Sequence, residues 1–112
     1  MSALDESTAG GQFRLALSGE IDMAREDELA ELRNAFEASG RPTASVDLSQ
    51  VTFLDTTGLA FLVELQGIAH GRGGTVVLRD PSRTLIRLLE ITALDQVFEV
   101  SQDGHGPPVA AG

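Results

Sequence analysis

The sequence predicts a single α/β domain built on one β-sheet. Its 112 residues fit one small domain, and 42 % of them are hydrophobic, which is enough for a modest core. Segments with alternating apolar residues are followed by segments with helical apolar spacing, and glycine or proline lies between them. We therefore expect strands and helices to alternate along the chain.

The first half of the chain begins with a strand. QFRLALSG, residues 12–19, has apolar side chains at alternate positions, and GEID follows as a turn. From Met23 to Ser39 the apolar residues recur at helical spacing, and Gly40 ends this helix. TASVDLS, residues 43–49, is the second predicted strand.

In the second half, a helix begins within FLDTTGLAFL, residues 53–62, and continues to about His70. Its predicted core face consists of Phe61, Leu62, Leu65, Ile68 and Ala69. GRGG then leads into TVVL, whose composition is typical of a short strand buried on both faces. Asp80 and Pro81 predict the cap and first position of a third helix, RTLIRLLE, which buries Leu85, Leu88 and Leu89. DQVFEV, residues 95–100, is the last predicted strand.

Composition narrows the classes of function. The chain has no cysteine and a net charge of −9, which disfavours thiolate metal sites and contact with nucleic acid or anionic membranes. No apolar run approaches the roughly 20 residues that span a bilayer, and the acidic start MSALDESTAGG is unlike a signal peptide. We expect a cytoplasmic protein with no nucleic-acid partner and no membrane insertion. Segments 1–11 and 101–112 are predicted to be flexible and to flank a domain at 12–100.

The polar triplet Asp55, Thr56 and Thr57 lies where a helix needs an N-cap. In the simplest interpretation a threonine hydroxyl accepts a hydrogen bond from a free backbone N–H and stabilises the helix by about 1 kcal/mol. The alternative is that the hydroxyl is phosphorylated, because a helix N-terminus favours negative charge.

Leu59 and Val63 lie outside the predicted core face of the same helix. They are ordinary surface residues or a second buried edge, or else they are part of a partner-docking face that begins at Thr56. A phosphate of about −1.5 to −2 charges at the edge of that face would oppose docking.

Four segments, in order, resemble the STAS-domain anti-sigma factor antagonists. FLDTTGLAFL is similar to the family's phosphorylation loop, and SGEID to its Gly-Glu-Leu-Asp turn. SVDLSQVTFLD resembles the strand leading to the phosphate acceptor, and RLLEITALDQVFEV the closing helix, turn and strand. The resemblance implies a STAS-like fold, with a mostly central β-sheet of roughly four to five strands and helices packed mainly on one face.

The resemblance also implies site residues. Thr56 would be the phosphate acceptor, with Thr57 less favoured; Asp55 would orient the hydroxyl or contact a kinase, and Gly58 would allow close approach of a partner. The partner-binding set would be Gly19, Glu20, Ile21, Asp22, Asp55, Thr57, Gly58, Leu59 and Val63. Glu20 and Asp22 are equally explained by turn and cap chemistry.

The implied mechanism is partner switching. The unphosphorylated protein would bind an anti-sigma factor with a GHKL-type serine/threonine kinase fold and so release a sigma factor, and a PP2C-type phosphatase would reverse the phosphorylation. The chain itself would need no cofactor. Two residues depart from the family pattern: the acceptor is threonine where serine is commoner, and Ala93, where relatives often have glycine, is expected to be harmless.

Two other functions compete with the switch. In one, the chain is a constitutive, unphosphorylated STAS subunit of a larger complex, for example in lipid transport, and Thr56 only caps a helix. In the other it is an enzyme, which we do not expect, because His70 lies on the order of 20 Å from Thr56 along the helix and His105 is in the tail. Two isolated histidines also lack metal-ligand spacing.

Overall fold

The computed structural model describes residues 12–102, in which strands and helices alternate as predicted. The elements are β1 (Phe13–Ile21), α1 (Glu26–Ser39), β2 (Ala44–Leu54), α2 (Thr56–Gly71), β3 (Val76–Arg79), α3 (Arg83–Ile91) and β4 (Glu99–Ser101). Short 3-10 turns precede α1 at Met23–Arg25 and β4 at Leu94–Gln96. The predicted flexible segments, 1–11 and 101–112, lie outside the described residues except for residues 101 and 102.

The four strands are parallel and lie side by side in chain order. Connections between neighbouring parallel strands are right-handed in nearly all proteins, and in this strand order that rule places all three helices on one face of the sheet. The burial of β1 agrees, since Phe13, Leu15 and Leu17 are buried while Arg14 is exposed. The predicted sheet with helices mainly on one face is therefore confirmed.

The core lies between this face of the sheet and the helices. The helices contribute buried Leu29, Leu32, Phe36, Phe61, Leu62, Leu65, Ala69, Leu85 and Leu89. The predicted core residues Ile68 and Leu88 are only partly buried, although they pack against the same cluster. In β3, Val76 and Leu78 are buried but Val77 is half-buried, so this strand is not buried on both faces as its composition suggested.

Several predicted boundaries are wrong. Gly19, Glu20 and Ile21 belong to β1 rather than to a turn, because the pairing with β2 continues to the end of the strand through two register shifts. The closing strand, β4, is shorter than predicted because residues 94–96 form a 3-10 turn.

The predicted start of α3 is also wrong. Its N-cap is Ser82, whose hydroxyl accepts a hydrogen bond from the backbone N–H of Leu85 at 3.1 Å. Asp80 instead has a positive φ of 53°, and its N–H donates to the carbonyl of Ser101 at 2.7 Å. This hydrogen bond extends the pairing of β3 with β4, and the positive φ of Asp80 departs from the extended backbone of an N-cap residue, which Ser82 adopts. None of the helices in residues 12–102 combines the length and apolar character that crossing a membrane requires.

Candidate functional site

The candidate site lies at the carboxyl edge of the sheet, where parallel strands end and the following helices begin. Ligand sites of open parallel α/β sheets gather at this edge. The end of β2 places Asp55, Thr56 and Thr57 there, and the end of β1 places Glu20 and Asp22. The two strand ends are joined directly, since the N–H of Asp55 donates to the carbonyl of Ile21 at 3.1 Å.

The cap of α2 is Asp55, not a threonine. Its Oδ1 accepts hydrogen bonds from the N–H groups of Thr57 at 2.8 Å and Gly58 at 3.4 Å. The prediction that a threonine hydroxyl caps the helix is therefore wrong, because a carboxylate one residue earlier already satisfies the free donors. Within residues 12–102, neither threonine hydroxyl takes part in a hydrogen bond. Thr56 is exposed and Thr57 is half-buried, so Thr56 presents the more accessible free hydroxyl.

Gly58 is buried beneath the start of α2. A Cβ at this position would lie 2.5 Å from Cγ of Leu54 and 3.1 Å from Cγ2 of Ile21, closer than side-chain carbons pack. The absence of a side chain thus lets α2 rest on the ends of β1 and β2. The structure thus gives Gly58 a packing role inside the domain, and close approach of a partner at Gly58 stays a prediction.

The end of β1 and the turn after it contain the other predicted partner-binding residues. Gly19 has a positive φ of 78°, Glu20 is exposed and Ile21 is fully buried. Asp22 caps the 3-10 turn, because its Oδ1 accepts from the N–H of Ala24 at 3.0 Å. Of this set, Glu20 is the residue whose side chain is most available to a partner.

The side chain of Arg25 stabilises this turn, a role that the sequence analysis did not predict. Its guanidinium donates to the carbonyls of Glu20 at 2.6 Å and Ser18 at 3.0 Å, and its Nε lies 2.9 Å from a carboxylate oxygen of Glu28. The side chain is 19 % exposed, so these bonds are partly shielded from water. Nothing in the local spacing predicts them, because they depend on how the chain folds back after β1.

A cleft of about 540 Å³ runs between α1 and α2 and has Thr56 and Thr57 at its rim. It is lined by Glu26, Leu29, Ala30, Arg33, Thr56, Thr57, Ala60, Phe61 and Glu64. Arg33 spans the two helices, with its Nε 3.5 Å from a carboxylate oxygen of Glu64. Sequence reasoning also missed this cleft, whose two walls come from segments about 30 residues apart.

Several apolar residues close to Thr56 in the sequence are exposed or half-buried. Of the two predicted docking residues, Val63 is 43 % exposed, whereas Leu59 is half-buried and packs against the core. The sequence did not single out Met23 and Phe53, which are 71 % and 54 % exposed. Both lie within three residues of predicted site positions, Asp22 and Asp55.

Metal-ligating and catalytic groups are not gathered at the site. Residues 12–102 contain no group of three or more histidine, cysteine or carboxylate side chains able to hold a metal ion. His70 is exposed near the opposite end of α2, fourteen residues from Thr56, which corresponds to about 20 Å along a helix. His105 lies outside the described residues.

Fold and site together define a small α/β domain of the STAS type. A family model described as "Mlab, STAS domain" matches residues 4–100. The chain therefore belongs to the STAS domain family, as the motif resemblance indicated.

Among the individual relatives, some are named as anti-sigma factor antagonists and others as a phospholipid transport protein. The anti-sigma-B factor antagonist of Bacillus subtilis is 30 % identical over 94 residues, which cover 84 % of this chain and 85 % of that protein. The intermembrane phospholipid transport system binding protein MlaB of Escherichia coli is 38 % identical over 82 residues, covering 70 % and 81 %. A crystal structure of an anti-sigma factor antagonist from Mycobacterium paratuberculosis superposes with a TM-score of 0.75 at 30 % identity, covering 92 % and 86 %.

Proposed function

We propose that this protein is an anti-sigma factor antagonist whose binding is controlled by phosphorylation at Thr56. In its unphosphorylated form it binds an anti-sigma factor that has a GHKL-type serine/threonine kinase fold, and so releases a sigma factor. The kinase phosphorylates Thr56 and ends the binding, and a PP2C-type phosphatase restores it. The names of two of the relatives described above support this proposal.

The observation that carries the proposal is the free hydroxyl of Thr56. Because Asp55 caps α2, the Thr56 hydroxyl is not needed as the helix cap, and Thr56 is exposed at the first position of the helix. A phosphate there can form without breaking a native hydrogen bond, and the positive end of the helix dipole favours its charge. Thr57 is the weaker candidate because its side chain is half-buried.

The surroundings of Thr56 explain how one phosphate could act as a switch. Exposed Met23 and Phe53, next to the strand ends at this edge, and exposed Val63, two turns along α2, offer apolar area for a partner. A partner that covers this area must also bury a phosphate of about −1.5 to −2 charges. An uncompensated buried charge costs about 3–5 kcal/mol, which corresponds to roughly two to four decades of affinity.

The remaining site residues have supporting roles in this proposal. Glu20 and Asp22 border the docking surface on the β1 side, and Leu59 supports it from beneath. Asp55, Thr57 and Gly58 fix the start of α2 and so the position of the Thr56 hydroxyl. Gly19 and Ile21 shape the strand end that carries Glu20.

ATP chemistry is assigned to the partner. The chain has no lysine and no glycine-rich phosphate-binding loop, and no histidine in residues 12–102 is within reach of Thr56. We propose that the protein is a binding module without catalytic activity or cofactor, and that it acts in the cytoplasm. Its charge of −9 argues against nucleic acid as a partner.

The similarity to MlaB favours one second candidate function. That relative has the higher identity, 38 %, and is named as a binding protein of a phospholipid transport system. In this alternative the chain is a constitutive, unphosphorylated subunit of a larger complex, and the apolar residues around Thr56 are permanently covered.

Phosphorylation and binding separate the two candidates. The protein would be incubated with ATP and a GHKL-type anti-sigma kinase of its source organism, and modified residues would be mapped by tandem mass spectrometry. Affinity for the kinase would then be measured for Thr56→Ala, Thr56→Glu and, as the matched control, Thr57→Ala. We expect phosphate on Thr56, unchanged binding by Thr56→Ala and Thr57→Ala, and binding by Thr56→Glu weakened by about two decades or more.

Two results would contradict the switch. Equal affinities of Thr56→Ala and Thr56→Glu for the kinase would show that charge at this position does not control docking. An unmodified Thr56, in a reaction where the kinase phosphorylates an authentic substrate, would favour the constitutive subunit.

A further inference from the structure

The outer side of α3 presents a mixed basic and apolar surface away from Thr56. The helix buries Leu85 and Leu89 and turns Arg83, Arg87 and Ile91 outward at intervals of four residues. Ile91 is 75 % exposed, the largest exposed fraction among the exposed large hydrophobic residues described. The function proposed above uses none of these three α3 residues.

Two grooves meet along this helix. One, of about 260 Å³, lies between α3 and the end of β2 and includes Phe53, Thr84 and Leu88. The other, of about 370 Å³, lies on the outer side of α3 and includes Arg87 and Ile91 together with the same Thr84 and Leu88. Because they share two lining residues, they form one apolar strip from Phe53 to Ile91, which we call the α3 groove.

The two arginines of the α3 groove are electrostatically uncompensated. Both are exposed, and no carboxylate within residues 12–102 forms an ion pair with either of them, including exposed Glu90 on the same helix. Arg25 and Arg33, in comparison, are paired with glutamates. Arg83 and Arg87 thus place two positive charges, one helical turn apart, beside apolar side chains in a chain of net charge −9.

We propose that the α3 groove docks an acidic amphipathic segment of a partner protein. Carboxylates of the segment pair with Arg83 and Arg87, and its apolar side chains contact Leu88, Ile91 and Phe53. The eight-residue rise from Arg83 to Ile91 is about 12 Å, which matches two turns of a helix with anchors at i, i+3 or i+4 and i+7.

Charge selects a protein segment over the other possible occupants. An anionic membrane would face the whole chain, whose charge of −9 repels it. A short docked segment feels mainly the nearest charges, because the screening length is about 8 Å at physiological salt. The groove therefore attracts acidic side chains locally although the protein is acidic overall.

The test uses two synthetic helical peptides that share leucines at helical spacing and differ in having glutamate or lysine between them. Each is titrated into the isotope-labelled full chain, and backbone amide shifts are followed by NMR. We expect the glutamate peptide alone to shift the amides of Phe53, Thr84, Leu88 and Ile91. The double variant Arg83→Gln/Arg87→Gln should weaken this binding about tenfold, whereas Arg14→Gln, an exposed arginine on β1, should not.

Four outcomes would overturn the proposal. The first is that the glutamate peptide causes no amide shifts even at millimolar concentration. The second is that the two peptides bind equally. The third is that anionic phosphatidylglycerol vesicles shift the groove amides while the peptides do not. The fourth is concentration-dependent shifts of the groove without any addition, which would assign it to a second copy of the chain. All variants alter exposed residues, and circular dichroism would verify that each is folded.

Discussion

At both the amino edge and the carboxyl edge of the sheet, an arginine donates hydrogen bonds to backbone carbonyls and so holds neighbouring segments together. The two edges differ in their exposed side chains. At the amino edge, Arg72 donates to the carbonyls of Phe36 at 3.2 Å, Glu37 at 2.6 Å and Arg41 at 2.9 Å. Its guanidinium also lies 5.5 Å from the centre of the Phe36 ring. At the carboxyl edge, Arg25 donates to the carbonyls of Ser18 and Glu20.

The difference lies in the exposed side chains near each arginine. At the carboxyl edge, Met23, Phe53 and Thr56 are exposed, and the Thr56 hydroxyl forms no hydrogen bond within residues 12–102. Around Arg72, the contacts hold together the end of α1, the end of α2 and the approach to β2. We infer that the Arg72 contacts stabilise the amino edge, whereas the carboxyl edge combines a fixed backbone with exposed side chains.

The largest effect is expected at the amino edge, from Gly74→Ala. A Cβ there would lie 1.9 Å from the carbonyl oxygen of Pro42 and 2.3 Å from its carbonyl carbon, and backbone atoms cannot move aside cheaply. We expect a loss of about 3 kcal/mol in the free energy of unfolding, measured by urea denaturation. Gly71→Ala is the matched control, because nothing lies within 4 Å of its Cβ position. Similar stabilities of the two variants would mean that this edge is not rigidly packed.

A smaller loss is expected at the carboxyl edge, from Gly58→Ala. Here the added Cβ meets side-chain atoms of Leu54 and Ile21, which can shift in part. We expect a loss of about 1–3 kcal/mol, measured in the same way. Gly67→Ala, in the open part of the same helix, should instead gain about 0.5–1 kcal/mol. A gain in both variants would contradict the tight contact of α2 with the strand ends.

The two arginines allow the comparison to be tested directly. Arg25→Gln and Arg72→Gln should each lower the free energy of unfolding by about 1–3 kcal/mol, because each removes charge-assisted hydrogen bonds to carbonyls. Only Arg25→Gln should speed amide hydrogen exchange of Glu20 to Ala24 and, under the proposed function, weaken kinase binding. If Arg72→Gln loosens the same turn equally, the two edges are coupled and the assignment of separate roles fails.

The sequence predicted the order of the elements and most of the core, because apolar periodicity directly reflects which face of a strand or helix is buried. It could not choose the helix caps. Asp55, Thr56 and Thr57 are all good capping residues, and so are Asp80 and Ser82, so the choice depends on where the preceding strand ends. The Arg25 contacts and the cleft between α1 and α2 depend on tertiary packing, which no local pattern encodes.

Thr56 illustrates the same limit at the candidate site. The sequence placed it at a helix start but gave its hydroxyl the capping role as the simplest interpretation. The structure assigns the cap to Asp55 and leaves the hydroxyl free. Because the cap lies one residue earlier than predicted, Thr56 is not a capping residue and its hydroxyl is a candidate for modification.

The smallest effect is expected from Ala93→Gly, between α3 and β4. Ala93 has a positive φ of 62°, a left-handed backbone conformation that strains alanine and suits glycine. The left-handed conformation costs a non-glycine residue about 1–2 kcal/mol, while glycine gives up about 0.4–1 kcal/mol through the freedom of the unfolded chain. We therefore expect a net gain of about 0.5 kcal/mol in the free energy of unfolding. The same change in the middle of α1, Ala30→Gly, should lose about 0.5–1 kcal/mol. Losses in both variants would show that the strain at Ala93 is relieved by its contacts in the turn.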